Sequence, residues 1–339
     1  MSLPNPGDRI ATELLTEIFL HCATPRYDSV EERARILSLT HVCQHWRAAA
    51  LCTSILWTHI LFQPSSASGD RTAREVDCAR AWLSRSGERL LSVFISTAGI
   101  SRQSVITAFE VLMPHFPRWR EFAGTLSPYT LFTLMGEAHQ VLPPFTPQLR
   151  RLKLHFTDSS RDSAVSLRRI EAIPWFQITH LDIETYHPFI AIQILQYAPK
   201  IECLNIRKAP STGPYESVMG NYYGLCDSEH PKWHTTHLAL LSMTLDTAAA
   251  SRGHQDDSSM LLSYLTLPAL QTLGVPHDQS GPPHAFSLVK RSQCNLLSLK
   301  VHGRQSPSEC RTAATRYSSL RAPIHSIYRR QHASLLESQ

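Results

Sequence analysis

Apolar residues recur at helical spacing near the start of the 339-residue chain. In ATELLTEIFLHCA, residues 11–23, they occupy positions 14, 15, 18, 19 and 22, which lie on one face of a helix. The polar break TPRYDSVEE follows. The next stretch has the same one-faced spacing, at Leu39, Cys43, Trp46 and Ala50. This pattern predicts two or three helices over residues 10–60.

A different pattern returns along the rest of the chain: an apolar residue, two variable residues, an apolar residue, one variable residue and an apolar residue. Its clearest copies are Leu149-Leu152-Leu154, Ile201-Leu204-Ile206, Leu270-Leu273-Val275 and Leu296-Leu299-Val301. The middle residues of the eight copies are at positions 93, 122, 152, 181, 204, 241, 273 and 299. Leucine-rich repeats recur every ~20 to 29 residues, so several of these intervals fit and two indicate insertions. The first two copies fit the template least well, because Trp119, Phe122 and Gly124 depart from it.

Each copy predicts a strand with alternate residues pointing inward, and the stretches SVITAFEVLM, FIAIQILQYA and AFSLVKRS predict helices between strands. A single strand–helix repeat cannot cover its own apolar face, so neighbours must stack. The predicted fold is therefore α/β: an N-terminal three-helix unit followed by an irregular leucine-rich-repeat solenoid of parallel strands and helices. The alternative is an ordinary α/β domain whose parallel strands share an apolar pattern.

Changes in composition predict the domain boundaries. We expect a helical domain over 8–62, a linker over 63–71 (QPSSASGDR), a repeat domain over 72–303 and a poorly ordered basic tail over 304–339. Two further segments, 209–233 and 246–259, have the composition of loops. In a solenoid such insertions project from one edge and often carry binding contacts.

The composition excludes several classes of protein. A hydrophobic share of 42% and a charged share of 18% indicate a folded chain. The net charge of +5 is mild and the basic residues form no recognisable motif, so the sequence does not predict nucleic-acid binding. The chain starts without a signal-peptide pattern, and no apolar run reaches about 18 residues, so we predict no membrane span and a cytoplasmic or nuclear location. The eight cysteines are scattered and are predicted to be reduced.

Motifs for catalysis are missing: the sequence has no nucleophile elbow, no phosphate-binding glycine loop and no kinase signature, so no enzymatic activity and no cofactor are predicted. Two histidine groups resemble metal ligands. His41 and His45 are four residues apart, but Val42 occupies the place of the zincin glutamate. The second group is Cys226, His230, His234 and His237, which Pro231 keeps off a common helix. We predict no metal site. A metal-dependent hydrolase built on the second group remains the alternative.

The residues of the first 60 positions resemble a known family. The matching positions are Glu13, Leu14, Leu15, Glu17, Ile18 and Phe19, then Val42, Cys43, Trp46 and Arg47, then Leu56 and Trp57. In order and spacing they are similar to the F-box, in the divergent form found in large fungal families. Ile10-Ala11 stands where that family usually has leucine-proline, and Ile55 stands where it often has proline. The repeats resemble the leucine-rich substrate domain often attached to an F-box.

The resemblance implies a substrate-recruiting subunit of a Skp-cullin-F-box ubiquitin ligase. Its helices would dock in a groove of the Skp adaptor, and its repeats would bind an unknown protein substrate. Within the helical unit, Ile18 or Cys22 is expected to pack on Trp46. The alternative is an interaction scaffold in which the F-box-like segment caps the solenoid. The residues that the resemblance assigns to adaptor binding are Leu14, Leu15, Ile18, Phe19, Val42, Cys43, Trp46, Leu56 and Trp57.

Overall fold

A computed structural model describes most of the chain. The described residues are 10–22, 30–63, 69–96, 102–126, 148–156, 173–185, 190–208, 234–247, 257–276, 281–303 and 324–328. The fold is α/β and parallel β-sheet is its dominant element, which confirms the predicted fold class at that level. The chain divides into two compact units. Unit 1 is Met1–Asp158 with Ala172–Pro174, and unit 2 is Ser159–Glu171 with Trp175–Gln339.

Helices open unit 1. They are α1 (Thr12–Cys22), α2 (Val30–Leu39), α3 (Gln44–Cys52) and a 3-10 turn (Ser54–Trp57). Helix α1 contacts both α2 and α3, and the core between them contains Leu15, Phe19 and Ile36. Cys43 caps α3, because its Sγ accepts a hydrogen bond from the backbone N–H of Trp46 at 3.5 Å.

Four parallel strands and two longer helices follow in the described part of unit 1. They are β1 (His59–Phe62), α4 (Gly69–Arg85), β2 (Leu91–Ser96), α5 (Arg102–Leu112) with a 3-10 turn (Met113–Arg118), β3 (Trp119–Leu126) and β4 (Arg151–Phe156). The strands are in sequence order, β1-β2-β3-β4. Sequential parallel strands joined by right-handed crossovers place the connecting helices on one face of the sheet.

One row of apolar side chains runs across that helix-covered face. Ile60 is in register with Val93, Val93 with Phe122, and Phe122 with Leu152, and all four are buried. The predicted middle positions 93, 122 and 152 are therefore aligned. The poor fit at Gly124 has a steric cause: a Cβ there would lie 2.8 Å from Cδ1 of Leu126. The large neighbours fill the space that the missing side chain would take.

Two elements of unit 1 differ from the sequence interpretation. The segment His59–Phe62, assigned to the helical domain 8–62, is a strand that pairs with β2. Helix α4 was not predicted, and it begins at Gly69, inside the expected linker 63–71. Residues 64–68 of that linker lie outside the described residues. The helix is mostly polar, and three of its buried residues, Val76, Ala79 and Leu83, recur at steps of three and four.

Unit 2 repeats the strand–helix theme less regularly. Its elements are a 3-10 turn (Trp175–Gln177), β5 (His180–Thr185), α6 (Ile190–Tyr197), β6 (Cys203–Lys208), β7 (Thr235–Thr236), β8 (Ser242–Thr247), a 3-10 stretch (Asp257–Tyr264), β9 (Leu265–Thr266), β10 (Thr272–Pro276), α7 (Gly281–Ser292), β11 (Ser298–Gly303) and β12 (Ile324–Tyr328). The parallel order is β5-β6-β8-β10-β11-β12, and β7 pairs separately with β9.

The buried row of unit 2 corrects one repeat assignment. The aligned residues are Leu181, Leu204, Met243, Leu273 and Leu299. Position 241 was therefore wrong as a middle residue, and Leu241 is 38% exposed. In the segment HLALLSMTL, the exposed Leu238 and Leu241 each come two residues before a buried position of the pattern. The buried copy of the pattern is Leu240-Met243-Leu245.

A recurring hydrogen-bond pattern joins the strands of unit 2 at their starts. The carbonyl of Thr179 accepts the N–H groups of Glu202 and Cys203, at 2.8 and 3.1 Å. The carbonyl of Glu202 likewise accepts two consecutive N–H groups, from Leu241 and Ser242. The carbonyls of Leu241 and Gln271 do the same toward the next strand start. The sequence pattern thus corresponds to one local geometry, repeated at four successive junctions.

Part of the predicted tail is structured. Residues Ile324–Tyr328 form β12, which pairs with β11, so the prediction of a poorly ordered tail over 304–339 is wrong for these five residues. The remainder of 304–339 lies outside the described residues, as does the predicted insertion 209–233. Of the other insertion, 246–259, the first two residues end β8 and the last three begin the 3-10 stretch.

Candidate functional site

Helix α1 has two apolar faces with different roles. Leu15 and Phe19, four residues apart, have no exposed surface. The ring of Phe19 meets the ring of Trp46 edge to face, with 5.3 Å between centroids. The ring contact of Trp46 is thus made by Phe19, whereas Ile18 and Cys22, the residues expected to pack on Trp46, are exposed. Ile18 is 39% exposed and Leu14 is 60% exposed.

The turn between α2 and α3 contains the next group of predicted residues. Val42 is 58% exposed, whereas Cys43 and Trp46 are half-buried. The indole Nε1 of Trp46 is buried and has no hydrogen-bond partner among the described residues. Val42 therefore presents an apolar side chain to solvent, while Cys43 and Trp46 chiefly hold the turn and α1 together.

Leu56 and Trp57 are core residues. Both are buried, and the indole Nε1 of Trp57 donates a hydrogen bond to the carbonyl of Ala50 at 2.9 Å. The Trp57 ring meets the ring of Trp82 on α4 edge to face at 5.1 Å, and the guanidinium of Arg85 lies 4.6 Å from its centroid. The end of the helical segment is thus packed on the first helix of the sheet.

The residues that the resemblance assigned to adaptor binding therefore separate by exposure. Leu15, Phe19, Leu56 and Trp57 are in the core, and a side chain without exposed area cannot contact a partner in this structure. The adaptor-binding prediction therefore depends on the exposed side chains of Leu14, Ile18 and Val42. Sequence reasoning did not select two more exposed apolar side chains, Leu51 and Ile55, which are four residues apart at the end of α3 and beyond it.

Local contacts fix the position of α1 without the proline that the family pattern has. Nε2 of His45 lies 2.9 Å from the carbonyl oxygen of Ile10, a hydrogen bond that ties the start of α1 to α3. The N–H of Leu15 donates to the carbonyl of Ala11 at 3.0 Å, so the first helical turn is closed. The hydroxyl groups of Thr16 and Thr53 add a third contact, at 3.4 Å.

The sheet face of unit 1 that is opposite the helices, here called the open face, is mixed in character. One row across it contains His59, Ser92, Glu121 and Arg151, in register, and all four are half-buried. The next row contains Leu61, Phe94, Ala123 and Lys153. Burial raises the pKa of the Glu121 carboxyl, while the positive charges of Arg151, Arg120 and Lys153 act to lower it.

The open face of unit 2 has internal ion pairs. Nη2 of Arg207 on β6 lies 2.9 and 3.0 Å from the two carboxylate oxygens of Asp182 on β5. Nη1 of the same guanidinium lies 3.8 Å from Glu184. On the other side Arg207 is in register with Asp246 of β8. Arg207 is therefore already engaged by carboxylates of its own sheet.

The histidine groups considered as metal ligands do not form a site in the described part of the chain. A ring nitrogen of His45 is engaged by the carbonyl of Ile10, and Nε2 of the buried His237 lies 2.9 Å from the carbonyl oxygen of Ala198. His234 is exposed, and Cys226 and His230 lie outside the described residues. Within the described residues, no group of three or more His, Cys, Asp or Glu side chains is arranged to hold a metal ion.

A shallow cavity of about 380 Å³ lies on the helix side of unit 1, between α4 and the end of α5. Its lining includes Arg80, Glu110 and His115. Burial, and then the neighbouring Arg118, lower the pKa of His115. Arg80 forms an ion pair with Asp77 at 3.2 Å. These charged groups are on the rim of an open surface, and they do not pair a nucleophile with a base.

Comparison with protein-family models, with curated proteins and with solved structures gives no match for this chain. None of the described helices is long and apolar enough to cross a bilayer.

Proposed function

We propose that this protein is a substrate-recruiting subunit of a Skp-cullin-F-box ubiquitin ligase. The proposal starts from the F-box resemblance of residues 10–60, and the observation that carries it is the exposed apolar face of α1. Leu14 and Ile18 lie on that face, and Val42 is exposed in the turn before α3. The helical unit already has a core that contains Leu15, Phe19 and Ile36, so these exposed residues are surplus to its own packing.

The physical basis is burial of apolar surface in a partner groove. Full burial of one such side chain is worth about 1.5–3 kcal/mol relative to leaving it exposed. Ile18 is already partly covered, so its gain is smaller than that of Leu14. A helix that presents side chains at i and i+4 suits a groove-shaped site of the kind expected in the Skp adaptor.

The sheet regions would then hold the substrate, and no bond chemistry is assigned to this chain. Its contribution is proximity: a substrate bound to the same assembly as the ubiquitin donor reacts at a raised effective concentration. The rate gain would come from the geometry of the complex, and the chain would need no catalytic residue of its own.

Co-purification with the Skp adaptor tests the proposal. The variant Leu14→Asp with Ile18→Asp places two charges on the exposed face, and we expect adaptor binding to be lost while the melting temperature stays within a few degrees of wild type. The matched control is Phe286→Asp, an exposed apolar residue of α7 in unit 2, which should bind as wild type does. Binding by the double variant at wild-type strength would contradict the proposal.

A second candidate is an interaction scaffold whose helical segment is a cap. The packing of Trp57 on Trp82 favours it, because a cap must be integrated with the first repeat. The two functions differ in one observable: a scaffold remains stable and monodisperse without ever forming a complex with the Skp adaptor, even when the adaptor is in excess.

A further inference from the structure

The strand β4 begins with a run of basic residues. In QLRRLKLHF, Arg151 and Lys153 alternate with the buried Leu152 and Leu154, so both basic side chains are on the open face of unit 1. Arg150 precedes them and is exposed. The first two side chains that β4 places on the open face are therefore both positively charged. Parallel sheets are normally covered on both faces and have apolar residues there.

A second strand adds to the same charge. Arg120 on β3 is exposed, and its carbonyl accepts the N–H of Arg150 at 2.9 Å, so these two residues are neighbours across the strands. Glu121, the next residue, is in register with Arg151. Three positive side chains, those of Arg120, Arg151 and Lys153, thus act on one carboxylate. We call these three the basic cluster.

The basic cluster has a large positive excess. Like charges on adjacent strands repel each other, and the single carboxylate of Glu121 is partly buried, which disfavours its charged form. In the described part of the chain, no salt bridge engages Arg120, Arg151 or Lys153. In unit 2, by contrast, Arg207 is held by Asp182 and Glu184. Additional negative charge would therefore be more favourable on unit 1 than on unit 2.

Apolar groups lie next to the basic cluster. Lys153 is in register with the buried Ala123, Ala123 with Phe94, and Phe94 with Leu61, and both Phe94 and Leu61 are half-buried. The surface therefore offers positive charge beside a partly exposed apolar row. Its complement is a polypeptide segment in which acidic residues adjoin an apolar side chain.

We propose that the open face of unit 1 binds an acidic segment of a partner protein, with its carboxylates on the basic cluster and an apolar side chain against Phe94. This names the chemistry of the substrate, and it rests on the proposed function only in taking that partner to be the recruited substrate. Nucleic acid fits less well, because Phe94 is half-buried and offers no fully exposed aromatic face on which a base could stack.

The test uses the full-length protein and a fluorescein-labelled peptide rich in glutamate and containing leucine, with fluorescence anisotropy as the readout. Wild type should bind the peptide, and the variant Arg151→Gln with Lys153→Gln should bind roughly tenfold more weakly, because the loss of each charge contact should weaken binding by roughly threefold. The control variant, Arg74→Gln with Lys290→Gln, removes the same charge from exposed helical positions and should match wild type. Circular dichroism verifies that all three proteins are folded.

Four results would overturn the inference: no binding by wild type, equal binding by the Arg151→Gln, Lys153→Gln variant, an equal loss in the control, or tighter binding of single-stranded DNA than of the peptide. The Skp adaptor is added to the same preparations. Loss of peptide binding with adaptor binding retained supports the inference. If the adaptor never binds, the proposed function fails, and the peptide result still decides the inference.

Discussion

Arg33 on α2 and Glu75 on α4 form an ion pair with two hydrogen bonds, from Nη1 to Oε2 at 2.7 Å and from Nη2 to Oε1 at 2.9 Å. Their side chains are 21% and 18% exposed, so the pair is shielded from solvent. It joins the N-terminal helices to the first helix of the sheet. Within unit 1, the N-terminal helices are thus attached to α4 by a directional contact as well as by the packing of Trp57 on Trp82.

This pair should be measurable as a coupling energy. In a double-mutant cycle with Arg33→Ala and Glu75→Ala, we expect the two losses to be non-additive by about 1 kcal/mol or more, because a two-bond charge-assisted pair is stronger than an exposed salt bridge. Arg33→Lys should recover only part of that coupling, since lysine cannot form both bonds in the same geometry. Urea unfolding provides the free energies, and strict additivity would contradict the prediction.

The two faces of α1 should respond differently to truncation. Phe19→Ala removes a buried ring and is expected to lower the free energy of unfolding by about 3–5 kcal/mol. Ile18→Ala, one position away and partly exposed, should cost less than about 1 kcal/mol. Equal losses in denaturant titrations would show that the buried face has been assigned to the wrong residues.

Two buried tryptophans allow the contribution of one indole hydrogen bond to stability to be measured. Trp57 donates from Nε1 to Ala50, whereas Nε1 of Trp119 has no partner among the described residues. Trp57→Phe should therefore destabilise the protein by about 1 kcal/mol more than Trp119→Phe, since both variants lose similar ring area. Thermal unfolding followed by circular dichroism compares the two, and a larger loss in the Trp119 variant would refute the expectation.

Unit 1 should be sensitive to acid. Burial lowers the pKa of His59 and of His115 below the ordinary value. A folded state with depressed histidine pKa values binds fewer protons than the unfolded chain. The two neutral histidines therefore contribute their full share to the free energy of unfolding above a pH of about 6.5, and this contribution is lost as pH falls through the folded pKa values. In the variant His59→Gln with His115→Gln, the melting temperature should change less than in wild type between pH values of about 7.5 and 5.5. An unchanged slope would contradict this.

The buried residue at the middle of most strands could be predicted from the sequence, because the apolar residues that fill the core also align the neighbouring strands. Leu152, Leu204, Leu273 and Leu299 were placed correctly for that reason. Leu241 was misplaced because leucines lie on both sides of the irregular strand start, and only the hydrogen bonds separate the buried one from the exposed one.

Other features depend on contacts between distant positions. The choice between Ile18 and Phe19 as the partner of Trp46 depends on how α1 rotates against α3, which spacing within α1 does not determine. The basic cluster was missed because Glu121 and Arg151 are thirty positions apart in sequence and meet only through strand register. The helix α4 was not predicted because most of its residues are polar and its apolar pattern is weak. The small and polar residues of 63–71, at its start, indicated a linker instead.

The shared carbonyls at the strand starts of unit 2 make these junctions a property of the main chain. Thr179, Glu202, Leu241 and Gln271 each accept two consecutive N–H groups from the start of the next strand in the sheet. Every donor and acceptor in these bonds is a backbone atom, so a substitution there removes none of them unless it introduces proline, which has no N–H. Side chains at the strand starts can therefore vary in sequence while the hydrogen bonds between the strands are retained.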